Sequence, residues 1–210
     1  MIGYVKSYHA ALLAAALAVA SISGCGVETK GVGVNKSKST FLASDITGAA
    51  FGRDFNLNDH TGKTRTLADF KGKVVAVFFG YINCPDVCPA TLGKLSEAMK
   101  KLGKDAERVQ VLFVTIDPER DTPERLGKYL SSFNSSFLGL TGDDQSIKKV
   151  TEEFKVAYRQ QAGGTAEQHD MDHSIGTYIF DAAGKLRLYV SNGNGSEVFP
   201  HDIAALLKGR

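Results

Sequence analysis

The pattern of apolar and polar positions predicts alternating strands and helices. Residues 74–80 (VVAVFFG) and 109–116 (VQVLFVTI) are continuous apolar runs rich in β-branched and aromatic side chains, as expected of central strands covered on both faces. Between them, residues 89–102 carry leucine and methionine at helical spacing, with lysines left for solvent. The first half of the domain therefore has the order strand, helix, strand.

Helix start signals and turn residues place the remaining elements. Thr122, followed by proline, predicts a helix to residue 131, and Asp143 predicts a cap for a helix over residues 144–154. Residues 200–208 form a last predicted helix, which ends at a glycine. Turn residues predict two β-hairpins, one from residues 55–58 and 63–66 and one from residues 177–180 and 185–191.

This order of elements favours an α/β domain with a thioredoxin-like fold. Helices would flank a central mixed sheet, and a β-hairpin would stand at the N-terminal end. The alternation of helices and strands does not by itself exclude a flavodoxin-like sheet.

Composition and charge narrow the class of protein. Of the 210 residues, 43% are hydrophobic and 23% charged, which is typical of one soluble domain with short extensions. The 25 basic and 23 acidic residues leave a net charge of +2. Nucleic-acid binders usually present a concentrated basic face, so no nucleic-acid partner is expected.

The N-terminus has the zones of a secretory signal. Lys6 precedes an apolar stretch, residues 10–20, that is shorter than the roughly 20 residues needed to span a bilayer. Residues 22–25 (ISGC) resemble a bacterial lipobox, in which the cysteine after the cleavage point carries a lipid. The resemblance predicts lipidation of Cys25; the alternative is an unmodified cysteine beside a plain cleavage site.

These signals divide the chain into three predicted parts. They are a signal peptide, residues 1–24, a flexible tether rich in glycine, lysine and serine, residues 25–45, and the folded domain, residues 46–210. We expect an exported protein that is lipid-anchored to a bacterial membrane. Its domain would face the periplasm or the cell exterior, where disulfides can persist.

The chain has three cysteines, Cys25, Cys84 and Cys88, and the last two lie between the first central strand and its helix. Open α/β sheets react at the carboxyl ends of their strands, and a helix start favours thiolate, which applies to Cys88 directly before Pro89. Three intervening residues let the two sulfurs face the same way. They could form a redox-active disulfide or hold one soft metal ion. A structural disulfide is the alternative, although so short a loop gains little stability.

Two of the five histidines lie near the predicted position of this cysteine pair. His169 and His173 precede the strand at 177–180, and in a thioredoxin-like sheet the loop entering that strand lies against the cysteine loop. Thioredoxins place a cis-proline there, whereas this chain has His173 followed by serine. The other three histidines are assigned to the leader or to the solvated surface: His9, His60 and His201.

Two thiolates and one imidazole suit copper, because soft thiolates select Cu(I) and a nitrogen donor helps to hold Cu(II). Other interpretations stay open at this point. His169 and His173 could bind zinc with carboxylates, or the loop could be simply polar. Met171 could add a soft ligand, although packing on the core is the simpler role for it.

Three motifs in order resemble the Sco/SenC proteins. They are residues 84–89 (CPDVCP), 114–123 (VTIDPERDTP) and 172–174 (DHS), and the resemblance extends over residues 49–209. It implies a membrane-anchored, thioredoxin-like copper protein that helps to assemble the dinuclear copper centre of cytochrome c oxidase. The copper ligands it implies are Cys84, Cys88 and His173. We interpret the segment around Asp117 as structural, with Arg120 and Asp121 pairing and capping the next helix. Asp86 is interpreted as a modulator of charge or docking.

Two functional hypotheses follow. A metallochaperone would hand Cu(I) or Cu(II) to the copper-bearing oxidase subunit, with no turnover of its own. A thiol-disulfide oxidoreductase would reduce cysteines of that subunit or of another exported protein, and would need Cys84 and Cys88 but not His173. Other copper chaperones or thiol-disulfide reductants are possible partners in both cases.

Overall fold

A mixed sheet forms the centre of the protein in a computed structural model that describes residues 40–161 and 170–210. The strands are β1 (Ser44–Asp45), β2 (Leu57–Asp59), β3 (Thr64–Arg65), β4 (Val74–Gly80), β5 (Val109–Thr115), β6 (Leu138–Thr141), β7 (Tyr158–Gln160), β8 (Met171–His173), β9 (Gly176–Phe180) and β10 (Leu186–Ser191). The α-helices are α1 (Val87–Leu102), α2 (Pro123–Ser131), α3 (Asp144–Glu153) and α4 (Val198–Leu207).

Eight strands share the main sheet, in the order β1-β10-β9-β4-β5-β6-β2-β3. β4, β5 and β6 are parallel to one another, while β9 pairs antiparallel with β4. Every residue of β4 and β5 is buried, as their apolar runs predict. α1 packs against α4 and α2 against β6. The predicted thioredoxin-like α/β fold with its N-terminal hairpin, β2–β3, is confirmed.

Helix starts follow the local signals closely. Thr122 caps α2 by accepting a hydrogen bond from the Arg125 amide, and Asp143 caps α3 in the same way. α1 begins at Val87, two residues before the predicted start at Pro89. Proline is tolerated there because the first amides of a helix have no partner within the helix.

The strands that sequence patterning missed are short. β6, β7 and β8 have four, three and three residues, too few for a clear alternating pattern. β7 and β8 form a separate antiparallel pair in which Tyr158 faces His173. The predicted loop before β9 is therefore the second strand of a small hairpin.

At the N-terminal edge of the sheet, the folded domain begins before residue 46, the boundary predicted between tether and domain. β1, within the predicted tether 25–45, pairs with β10, and the amides of Leu42 and Ala43 donate to the buried Asp202 carboxylate at 2.9 and 2.8 Å. These contacts depend on distant residues, so local composition did not reveal them. The predicted signal peptide, Cys25 and His169 lie outside the described residues. No described helix has the length and apolarity to cross a membrane.

Candidate metal centre

Cys84, Cys88 and His173 converge at the carboxyl end of β4. Their sulfur and ring-nitrogen atoms all lie within 4.8 Å of one another, and Cys88 Sγ stands 4.0 Å from His173 Nε2. Cys88 is fully buried and Cys84 nearly so, whereas His173 is half-buried. Within residues 40–161 and 170–210 this is the one group of His, Cys, Asp and Glu side chains arranged to hold a metal ion.

The two cysteines are not joined by a disulfide in the structure, and their environments differ. The Cys88 thiol donates a hydrogen bond to the sulfur of Cys84, which also accepts from the amides of Asp86 and Cys88, and the pKa of Cys84 falls to about 5. The same bond, together with burial, raises the pKa of Cys88. The sequence indicated Cys88 as the favoured thiolate. The structure assigns that state to Cys84, because the free amides at the helix start point to its sulfur.

The imidazole of His173 is oriented by its own backbone neighbour. Its Nδ1 lies 2.9 Å from the Ser174 carbonyl oxygen, so Nδ1–H donates and Nε2 keeps its lone pair towards Cys88. The Tyr81 ring stands edge-on to the imidazole, with centroids 6.1 Å apart. The histidine is therefore presented in the tautomer that a metal requires.

A buried carboxylate supports the loop that carries Cys84. Asp121 Oδ2 accepts from Thr115 Oγ1 at 2.7 Å and from the Ile82 amide at 3.1 Å. Burial raises the pKa of Asp121 to about 6. Sequence reasoning suggested that Asp121 pairs with Arg120, but Arg120 pairs with Asp117 at 2.5 Å. The segment has the structural role expected of it, with a different pairing.

The other candidate residues lie outside the group of three. Asp86 is exposed at the start of α1. Met171 packs on the hydrophobic core, as expected. His60 departs from the predicted solvated surface role, because its Nδ1 accepts from the Gly139 amide at 3.1 Å and the ring is half-buried. His201 is exposed and lies 2.7 Å from Asp202.

Sequence patterning did not identify Tyr81 or Asp121 as supports of the site. Their roles arise from contacts with residues far along the chain, so spacing alone contained no signal for them. The donor set itself, two sulfurs and one imidazole nitrogen, is one that suits copper in either common oxidation state.

Comparison with known proteins identifies the family. The model of the SCO1/SenC family matches residues 43–208. The chain belongs to this family.

Individual relatives agree with that assignment. The SCO2-like protein of Rickettsia felis is 40% identical over 161 residues, which cover 75% of this chain and 76% of that protein. The copper-bound structure of Bradyrhizobium japonicum ScoI superposes with a TM-score of 0.69 at 37% identity, over 75% of this chain and all of that one. Copper-bound yeast Sco1 gives a TM-score of 0.70 at 32% identity, over 77% of this chain and 91% of that one.

Proposed function

We propose that this protein binds copper through Cys84, Cys88 and His173 and delivers it to, or matures, the copper centre of cytochrome c oxidase. The observation that carries the proposal is the convergence of two sulfurs and an imidazole nitrogen within 4.8 Å. Two SCO1/SenC relatives with this fold hold copper, which supports the choice of metal. The oxidase as recipient follows from the resemblance of the motifs to the Sco/SenC proteins.

Each of the three proposed ligands contributes differently to the binding of the copper ion. Cys84 offers a thiolate at neutral pH, because its pKa is about 5. Cys88 releases its proton to solvent when copper binds, since a metal displaces the proton of a coordinating thiol. His173 Nε2 adds the nitrogen donor that favours retention of Cu(II). Transfer to the recipient subunit then proceeds by stepwise exchange of these ligands for ligands of the partner.

The cellular location of the protein is also part of the proposal. A lipid on Cys25 and the tether that follows it would hold the domain at a bacterial membrane, facing the periplasm or the cell exterior. Metabolic labelling with a radioactive fatty acid should mark the wild type and not Cys25→Ser. If both chains were labelled equally, the lipid site would lie elsewhere.

A thiol-disulfide oxidoreductase is the second candidate function. One observation favours it: Cys84 has a low pKa and Cys88 is a buried thiol hydrogen-bonded to it, as in a nucleophile with its resolving partner. In this role Cys84 would attack a target disulfide, Cys88 would then close the Cys84–Cys88 disulfide, and the target would leave as two thiols. Other thiol-disulfide reductants would restore the pair.

The variant His173→Ala separates the two functions. We expect it to lose Cu(II), to keep Cu(I) on the two thiols, and to fail in oxidase assembly when it replaces the wild type in cells. A thiol-disulfide oxidoreductase would tolerate the change, because it needs only Cys84 and Cys88. If His173→Ala bound both Cu(I) and Cu(II) as tightly as the wild type, His173 would not be a copper ligand.

A further inference from the structure

Gly80, the last residue of β4, lies directly against the sulfur of Cys88. A β-carbon at Gly80 would stand 2.6 Å from Cys88 Sγ and 3.0 Å from Phe113 Cε2, and both of these side chains are 0% exposed. The backbone of Gly80 is held in place, because it pairs with Thr115 and its carbonyl accepts from the Ile116 amide at 2.9 Å. Any side chain at this position must therefore move the sulfur.

The side chain of Tyr81, the next residue, contacts the other half of the site. Its ring stands edge-on to His173 at an interplanar angle of 83°, and its hydroxyl accepts from the Met171 amide at 3.3 Å. The guanidinium of Arg120 lies 6.0 Å from the centre of the Tyr81 ring. Tyr81 is 2% exposed, so the ring has little room to turn away. Its contacts join the imidazole and the β8 backbone to the end of β4.

We propose that Gly80 and Tyr81 are positioning residues that set the two halves of the metal site. Because Gly80 has no side chain, the space beside β4 is open for Cys88 Sγ. The ring and hydroxyl of Tyr81 hold β8 so that His173 Nε2 faces that sulfur. Successive residues at the end of a strand point to opposite faces, which lets one dipeptide contact both α1 and the β7–β8 hairpin. The inference rests on the proposed copper function.

The two positions predict different chemical signatures. Gly80→Ala displaces a thiolate ligand, so it should weaken binding of both Cu(I) and Cu(II). Tyr81→Leu loosens only the imidazole, so it should weaken Cu(II) binding and spare Cu(I), for which soft thiolates are sufficient. Tyr81→Phe keeps the ring and should fall between the wild type and Tyr81→Leu.

The experiment uses the purified chain with a matched glycine control. A β-carbon at Gly139 in β6 would stand 3.0 Å from Leu126 Cβ and from Leu130 Cδ1, so Gly139→Ala crowds the same sheet outside the metal site. Cu(I) affinity is measured by competition with a chromophoric chelator, and Cu(II) binding by the thiolate-to-copper charge-transfer absorption. We expect Gly80→Ala to lose about tenfold or more in both affinities and to shift the absorption band. Gly139→Ala should lower the melting temperature and keep wild-type affinities and spectrum.

A copper-free measurement tests Gly80 independently of the proposed function. In a glutathione buffer, two thiols and one glutathione disulfide give the Cys84–Cys88 disulfide and two glutathione thiols, and the equilibrium depends on where Cys88 Sγ lies. Gly80→Ala should change this equilibrium constant, whereas Gly139→Ala and Tyr81→Leu should not. If the wild type bound no copper, the proposed function would be wrong. The glutathione equilibrium would still test whether Gly80 positions Cys88 Sγ.

A double variant separates crowding of the ring from displacement of the sulfur. Gly80→Ala with Phe113→Leu relieves the contact with the ring and restores folding if Gly80→Ala alone is unstable. The copper defect should persist relative to Phe113→Leu alone, because the contact with Cys88 Sγ remains. Wild-type copper affinities and spectrum in either Gly80→Ala chain would overturn the role of Gly80. Equal losses of Cu(I) and Cu(II) in Tyr81→Leu would overturn the role of Tyr81.

Discussion

The metal site is built from two regions of different construction. The thiol half, Cys84 and Cys88, lies where the fully buried strand β4 turns into α1, and its two residues are four apart in the sequence. The imidazole half is His173, which lies 85 residues after Cys88 on the half-buried strand β8 of a two-stranded hairpin. The comparison indicates that the two proposed sulfur ligands belong to the rigid core and the proposed nitrogen ligand to a peripheral element.

This difference matters for the proposed function, in which the protein must both hold and release a copper ion. Core packing fixes the sulfurs in one geometry, which favours tight binding of the cargo. A two-stranded hairpin whose residues are half-buried or exposed opens at a smaller cost than the fully buried central strands do. We therefore expect changes in the thiol half to remove binding and changes in the hairpin half to alter oxidation-state preference or release.

The largest expected effect comes from deleting a thiol. Cys84→Ala and Cys88→Ala should each lose stoichiometric Cu(I), because a single remaining sulfur cannot replace a two-thiolate site. His173→Ala should keep it. Copper per chain after gel filtration under reducing conditions measures this, with circular dichroism as the control for folding. Stoichiometric Cu(I) in Cys88→Ala would contradict the assignment of the two proposed sulfur ligands to the core.

The second-largest effect concerns Asp121, which supports the loop that carries Cys84, and it depends on pH. The pKa of Asp121 is raised from 3.8 to about 6 in the folded chain, so its bound proton stabilises the fold fully below about pH 4. That stabilisation is lost as the pH rises through 6. Relative to Asp121→Asn, the wild type should therefore lose up to about 3 kcal/mol of unfolding free energy between pH 4 and pH 7.5, as measured by urea unfolding.

Asp143→Asn is the matched control for this pH dependence. Hydrogen bonds from Ser146 lower the pKa of Asp143, so its contribution is lost as the pH falls and has the opposite sign. Parallel curves for the wild type and Asp121→Asn would show that Asp121 does not titrate with a raised pKa in the folded chain.

A smaller effect is expected where the hairpin joins the domain. Ser174 Oγ accepts from the Ala157 amide at 3.1 Å, while the Ser174 amide donates to the Ala157 carbonyl at 2.8 Å. Ser174→Ala removes the first bond, at a cost of about 1 kcal/mol or about fivefold in local opening. Hydrogen exchange at the Ala157 amide should accelerate, and Cu(II) affinity should fall while Cu(I) affinity is kept.

Ser191→Ala serves as the control for Ser174→Ala. It removes a similar hydroxyl contact, from Ser191 at the exposed end of β10 to Asn194 in the turn that follows. An equal fall in Cu(II) affinity in both variants would mean that the effect is general and does not report on the hairpin.

The smallest effect is expected on the outer surface of the hairpin. Arg159 Nε and Asp172 Oδ2 lie 3.0 Å apart, with side chains 81% and 46% exposed, and Gln161 also donates to Asp172. Arg159→Ala should leave both stability and copper affinity unchanged within experimental error, because solvent screens such pairs. A loss as large as that of Ser174→Ala would show that surface charge holds the histidine in place.

Sequence patterning predicted the long elements and missed the short ones. The apolar runs of β4 and β5 and the caps at Thr122 and Asp143 are local signals, and the structure confirms the elements that they predict. β1 has two residues and β8 three, and their stability comes from partners elsewhere in the fold. Such strands cannot be recognised from their own composition.

The sequence by itself determined that Cys84 and Cys88 stand together at a strand–helix junction, because four residues of chain leave little other choice. It also marked His173 as the third donor through a motif. Only the tertiary structure decided which sulfur is the thiolate and that Nε2 stands 4.0 Å from Cys88. The physical reason is that the sheet, the turn amides and the contacts of Tyr81 close a loop of 85 residues, and no local preference encodes that closure.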